Sequence, residues 1–109
     1  MPAAYKCLGQ SNPSAATDTT LYTVPSATSA VVSSITVCNT TANAITYRVA
    51  VRIAGASLAT AQYIAYDATV GANDTAILTL GLSLAATDVI TIRSSATNVA
   101  FHAYGTEIT

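Results

Sequence analysis

The stretch ITYRVAVR at residues 45–52 alternates strictly between apolar and more polar positions. Its apolar positions are Ile45, Tyr47, Val49 and Val51. Because successive side chains of a strand point to opposite faces, this period of two predicts a strand with one face buried. The other face carries Arg48 and Arg52, which are half of the four Lys and Arg residues in the chain. The stretch is therefore a scaffold strand that offers no reactive group.

Similar short runs, rich in Val, Ile, Thr and Tyr, continue along the rest of the chain. They cover residues 19–24, 30–38, 44–53, 62–68, 75–82, 89–93 and 99–108. Turn residues such as Gly71-Ala72-Asn73-Asp74 separate them. Seven or eight strands without a convincing helix predict an all-β fold over residues 17–109. We expect a single antiparallel β-sandwich of the jelly-roll or immunoglobulin-like type.

Residues 1–16 show no sustained periodicity and contain Pro2, Gly9 and Pro13, which predicts an extended N-terminal arm outside the sandwich. They also lack the apolar run of a signal peptide, so we expect synthesis in the cytoplasm. Cys7 and Cys38 permit one disulfide or two free thiols. Buried free thiols are the commoner state in a cytoplasmic product.

Charged residues make up 8% of the 109 residues, against about 25% in an ordinary domain. The formal net charge is −1, so the chain has no electrostatic footprint for nucleic acid or for an anionic membrane surface. A surface with so few charges repels copies of itself weakly. This composition favours a protein that works inside an assembly, with other subunits as its partners.

No candidate for catalysis or for metal binding emerges from the residue pattern. His102 is the only histidine, and no nucleophile or carboxylate stands near it in sequence. The five acidic residues are scattered singly, and Asp74 and Asp88 each precede a strand, where turn capping explains them. Two cysteines and one histidine are also too few for a structural zinc site. We expect no enzyme activity and no cofactor.

The residues that remain are candidates for an interface with other subunits. Arg48 and Arg52 share one strand face about 13 Å apart, at roughly 3.3 Å per residue. They are either a solvated face or two points that pair with carboxylates of a neighbouring subunit. Tyrosine joins apolar area to a hydroxyl group and suits half-wet interfaces. Tyr63 and Tyr66 are expected on opposite faces of their strand, and His102 and Tyr104 on a common face of the last strand.

Several stretches resemble small virion structural proteins of tailed bacteriophages, including phages of cyanobacteria. They are TLYTVP at 20–25, VVSSITVCN at 31–39, QYIAYD at 62–67, LAATDVI at 84–90 and FHAYGTEIT at 101–109. Two turns depart from that pattern. Relatives tend to place glycine after Pro25 and before Asp88, where this chain has Ser26-Ala27 and Thr87.

The resemblance implies a β-sandwich that decorates capsids as a cement protein or builds part of a tail fibre or baseplate. It also implies that the protein resides in the virion, as a homo-oligomer bound to other capsid or tail proteins. A carbohydrate-binding module for host attachment, with Tyr63 and Tyr66 as stacking residues, is a third hypothesis. The absence of Trp makes it the weakest of the three.

Overall fold

The structure, a computed structural model, describes residues 3–109. It contains eight strands: β1 Ala3–Ser11, β2 Thr19–Thr23, β3 Ser29–Asn39, β4 Ile45–Arg52, β5 Tyr63–Val70, β6 Thr75–Leu84, β7 Val89–Ser94 and β8 Val99–Ile108. Two short 3₁₀ turns, Ile53–Gly55 and Thr60–Gln62, lie between β4 and β5. The seven runs predicted from period-two alternation each coincide with a strand to within two residues at either end.

The strands form two four-stranded antiparallel sheets, with the orders β1-β8-β3-β6 and β2-β7-β4-β5. We call these sheets A and B. Four of the pairings join strands in the nested order of a long hairpin folded back on itself. They are β1-β8, β2-β7, β3-β6 and β4-β5. The remaining pairings, β3-β8 and β4-β7, roll this ribbon into two layers. Eight strands in this arrangement are a jelly roll, which decides against the immunoglobulin-like alternative.

The core lies between the two sheets and is built from the inward positions of the alternating strands. Sheet A contributes Val32, Ile35, Val37, Val99 and Phe101, all fully buried. Sheet B contributes Tyr47, Val49, Ile90 and Ile92, and the Tyr47 ring meets Phe101 edge to face at 6.4 Å. The polar positions of the same strands therefore face outward, and they form the two broad outer surfaces of the sandwich.

The N-terminal segment differs from its prediction. Residues 3–11 are extended, as expected, but they form β1 and pair with β8 from Ala3 opposite Ile108 to Ser11 opposite Phe101. Most of β1 is exposed, because an edge strand covers little of the core. Its sequence therefore lacks alternation even though its backbone is paired, and residues 1 and 2 lie outside the described part. Both cysteines are free, with Cys7 exposed on β1 and Cys38 half-buried on β3.

Both turns that depart from the phage-like pattern adopt the backbone conformation that glycine favours. Ala27 has φ 55° and Thr87 has φ 69°. Both values lie in the left-handed region, which residues with a Cβ adopt at a cost. The second turn is held by Asp88, whose carboxylate accepts backbone N–H bonds from Ala85 and from Ala54, each at 2.9 Å. Asp88 is thus a buried turn cap, as its position before β7 predicts.

A line of bulges crosses sheet A. The ladders shift register at Cys7/Gly9 in β1 and at Val32/Ser34 in β3. Between Val32 and Ser34, β3 contains the extra residue Ser33 relative to β8. Bulges bend and twist the strands that contain them, and they end the flat part of a ladder. The segment of β6 from Thr75 to Thr79 lies beyond this line, and it pairs with β3 without interruption.

Candidate interface on the outer faces of the sandwich

The outer face of sheet B carries a cluster of Arg48, Tyr63, Tyr66 and Asp67. Arg48 lies on β4, and its guanidinium contacts the Asp67 carboxylate through two bonds, Nε to Oδ1 at 2.7 Å and Nη2 to Oδ2 at 3.3 Å. The same guanidinium lies over the Tyr66 ring, with Cζ 4.1 Å from the ring centre. Tyr66 in turn meets Tyr63 edge to face, at 4.8 Å between ring centres. One arginine thus joins a carboxylate and an aromatic pair.

Two bulges in β5 build this cluster. Between Val49 and Ala50 of β4, the opposite strand advances from Ala65 to Tyr63 and gains one residue. Between Tyr47 and Val49 it advances from Ala68 to Ala65, so that both Tyr66 and Asp67 stand opposite Arg48. The prediction that Tyr63 and Tyr66 face opposite sides is therefore wrong, because an extra residue reverses the alternation.

The ion pair changes the proton affinity of both partners. The hydrogen bond to Arg48 holds the pKa of the Asp67 carboxyl below its usual value, and the same bond raises the pKa of Arg48. Asp67 itself has φ 52°, a left-handed conformation that Asp adopts more readily than most residues. Arg48 thus has a carboxylate partner within its own chain.

A second arginine stands beside the first. Arg93 on β7 is the register partner of Arg48, so two like charges lie directly across neighbouring strands. Such a pair is unfavourable unless carboxylates lie close by. Asp67 serves Arg48, and Asp18 lies 3.6 Å from Arg93 Nη1. Arg48, Asp67 and Arg93 border a cavity of about 250 Å³ that is also lined by Ser94 and Ser95.

Arg52, the other predicted interface arginine, supports a turn. Its Nε donates to the Ala56 carbonyl at 2.7 Å, and its Nη2 donates to the Gly55 carbonyl at 3.0 Å. These bonds tie the end of β4 to the 3₁₀ turn Ile53–Gly55. Both arginines therefore have acceptors inside the chain, and neither needs a neighbouring subunit to satisfy its guanidinium.

His102 and Tyr104 lie on the outer face of sheet A, as their spacing on the last strand predicts, with ring centres 5.9 Å apart. His102 Nδ1 lies 3.5 Å from the Thr36 hydroxyl on β3. Tyr104 borders a shallow depression together with Tyr5, which is 86% exposed. The six predicted interface residues therefore divide between two opposite faces of the sandwich and do not form one site.

A polar contact that the sequence does not reveal joins the two sheets near the chain's end. Glu107 on β8 accepts a bond from the Tyr22 hydroxyl of β2 at 2.5 Å, and Lys6 Nζ of β1 lies 2.6 Å from its other oxygen. The bond from Lys6 has the larger effect, and both bonds lower the pKa of Glu107. Burial, followed by the bond to Glu107, raises the pKa of Tyr22. The three residues lie far apart in sequence, so no local pattern brings them together.

The part of the chain that the structure describes, residues 3–109, contains no cluster of three or more His, Cys, Asp and Glu residues able to hold a metal ion. Over the same residues, no helix has the length and apolar character needed to cross a bilayer. What the outer faces offer is exposed aromatic rings, arginines with their carboxylates and shallow depressions.

Comparison with solved structures finds a chain from the structure of infectious bursal disease virus, Gx strain, that superposes on 97% of this chain with a TM-score of 0.55. The two sequences are 13% identical over this match, so the similarity concerns the fold alone. The chain described here spans about a third of that viral chain, which is matched over 32% of its length. No protein-family model and no curated protein matches the sequence.

Proposed function

We propose that this protein is a non-enzymatic structural component of a virion, in particular a decoration or cement protein of a tailed bacteriophage that binds neighbouring capsid subunits. The jelly-roll topology carries this proposal, because it includes all eight strands and is a recurrent architecture of viral capsid domains. The superposition on a chain of a virus structure supports the same conclusion at the level of the fold. Within the particle we expect the protein to be a homo-oligomer.

The chemistry of the surface is consistent with this role. With 8% charged residues, the outer faces are weakly hydrated, and they expose Tyr66 at 58% and Tyr104 at 38%. Exposed aromatic rings next to arginine are the residues that most often dominate protein interfaces. Because Arg48 is already paired with Asp67, its contribution to a contact is to fix the Tyr66 ring in position. A rigid ring loses little entropy on binding.

A tail-fibre or baseplate component would use the same domain and the same surfaces, and is the alternative position in the particle. Carbohydrate binding is less favoured, because Arg48 covers one face of the Tyr66 ring that a sugar would stack on. The Tyr63 ring also contacts Tyr66, which further limits access to the pair.

Cryo-EM of intact particles, combined with immunogold labelling, tests the proposal directly. We expect the jelly roll at regular positions on the capsid, in contact with capsid subunits. Two surface variants, Tyr66→Ser on sheet B and Tyr104→Ser on sheet A, identify the binding face through the amount of protein retained on purified particles. Density confined to the tail would support the alternative position, and the absence of the protein from particles would refute a virion role.

A further inference from the structure

Strand β6 is a free edge of sheet A, and its first half, residues 75–79, carries no protection against pairing. The order β1-β8-β3-β6 ends at β6, and the ten residues from Thr75 to Leu84 make it the longest edge strand of the sandwich. No charged residue and no proline occurs between Asp74 and Asp88. Natural sheets usually blunt such an edge with charges, proline, bulges or short strands.

The other three edges are each blunted in one of these ways. Edge strand β1 carries Lys6 and is bulged between Cys7 and Gly9. Edge strand β2 has only five residues and follows Asp18 directly. Edge strand β5 has two bulges and carries Asp67. Strand β6 also has a bulge, because it advances three residues from Thr79 to Leu82 where β3 advances two. Residues 75–79 have neither a bulge nor a charge, and among the edges that residues 3–109 form this segment therefore stands apart.

The direction of the backbone groups of β6 follows from its ladder with β3. Asn39 N–H donates to the Asp74 carbonyl at 2.9 Å, so Asn39 and Asp74 form a hydrogen-bonded pair. Hydrogen-bonded and non-hydrogen-bonded pairs alternate along an antiparallel ladder. Ala76 and Leu78 consequently bond to β3. The N–H and C=O groups of the alternate residues, Thr75, Ile77 and Thr79, point away from β3 towards the free edge.

The side chains at this edge are suited to a neutral partner. The outward-facing Ile77 is 67% exposed, an unusual exposure for a large apolar side chain on a regular strand. On the inner face, Ala76, Leu78 and Leu80 pack against the core but remain partly accessible at the open side. A strand added beside β6 would cover the outward-facing Ile77 and the side chains of the inner face at once.

We propose that β6 pairs with β6 of a second copy of this chain, antiparallel and about a two-fold axis at Ile77. In this register Ile77 lies opposite its own counterpart, and Thr75 lies opposite Thr79 in both directions. Each of these pairs exchanges two backbone hydrogen bonds, which gives about six bonds in total. On the inner face Ala76 comes opposite Leu78, so that the partly accessible row continues into the partner.

A second copy is the occupant because the segment is complementary to itself. A two-fold contact places the same patch on both subunits, and any charge in it would meet its own sign near the axis. The stretch 75–87 has no charge, so this contact brings no repulsion. It also has a natural end, since Gly81 at φ 64° and the register shift beside it interrupt the flat ladder beyond Thr79.

This inference deepens the proposed function and rests on it for its role in the particle, but it is tested on the isolated chain. Sedimentation velocity of the purified protein from about 1 µM to about 1 mM should show a monomer–dimer equilibrium. Ile77→Lys should weaken dimerisation at least about a hundredfold, since it places like charges opposite each other across the axis. The matched control is Ile53→Lys, because Ile53 is 71% exposed and lies on the turn after β4. This control should dimerise like the wild type.

Register is tested by cross-linking. In a background with Cys7 and Cys38 replaced by serine, Ile77→Cys should form a covalent dimer under mild oxidation, because opposite Cα atoms of a hydrogen-bonded pair lie about 5.5 Å apart. Ile53→Cys should not. A wild type that stays monomeric over the whole range, or a dimer that Ile77→Lys leaves intact while its melt is unchanged, would overturn the proposal. Either result is independent of whether the protein is found on particles.

Discussion

Gly105 is the position where one added carbon should do the most damage. It lies on β8 opposite Val32, beside the bulge at Ser33, and a Cβ built on its backbone would lie 2.0 Å from the Val31 carbonyl oxygen. The same carbon would be 2.9 Å from Val32 Cα. Both neighbours are backbone atoms of a central strand, so no side chain can rotate away to make room. Gly105→Ala therefore requires β3 and β8 to separate by about 1 Å.

The magnitude follows from the two consequences of that separation. Overpacking against a rigid neighbour costs about 1–3 kcal/mol, and a broken ladder bond between central strands adds about 1–3 kcal/mol. We expect Gly105→Ala to lower the free energy of unfolding by about 4 kcal/mol, out of the roughly 5–15 kcal/mol of a domain this size. At about 4–8 °C per kcal/mol, the melting temperature should fall by about 15–30 °C.

Equilibrium urea unfolding measures this change, with circular dichroism and the fluorescence of the six tyrosines as probes. Gly71→Ala is the matched control, because its added Cβ would meet the Asp74 side chain at an ordinary 3.9 Å. That control should be neutral or stabilise the fold by up to about 1 kcal/mol, through the unfolded state. If Gly105→Ala were within about 1 kcal/mol of Gly71→Ala, the close approach of β8 to β3 would be refuted.

Three further predictions concern individual contacts. Thr87→Gly should raise the free energy of unfolding by about 0.5–1 kcal/mol in urea titrations, because a β-branched residue at φ 69° is strained; a loss of stability would contradict the left-handed turn. Deleting residues 1–11 should lower the free energy of unfolding by at least about 2 kcal/mol, since eight register pairs with β8 disappear. An unchanged melt would show that β1 adds nothing to the stability of the fold. Glu107→Gln should make the free energy of unfolding fall less steeply as the pH is lowered into the acid range. The pKa of Glu107 is below its usual 4.5, so its bonds stabilise the fold above that pH and are lost as the pH falls through the folded pKa. If the free energy of unfolding fell in parallel for wild type and variant below about pH 4.5, the bonds of Glu107 would not contribute to stability in this way.

The amino-acid sequence establishes the class of fold, because a period of two in seven runs leaves a half-buried strand as the only way to hide the apolar side chains. It also placed the turns, including the capping role of Asp88 and the departures at Ala27 and Thr87. It could not find β1, because most of that strand is exposed and carries no alternation. Period-two patterns report burial on one face, and an edge strand buries too little to produce one.

Which residues meet depends on how distant segments pack in three dimensions. The order of strands in the two sheets chose the jelly roll over the immunoglobulin-like fold, since strand alternation is the same in both. The bulges in β5 brought Tyr66 and Asp67 opposite Arg48, and so gave that arginine a carboxylate from its own chain. Likewise Tyr22 meets Glu107 across 85 residues of sequence. Register shifts and contacts between sheets depend on how distant segments pack, and a local pattern holds no information about them.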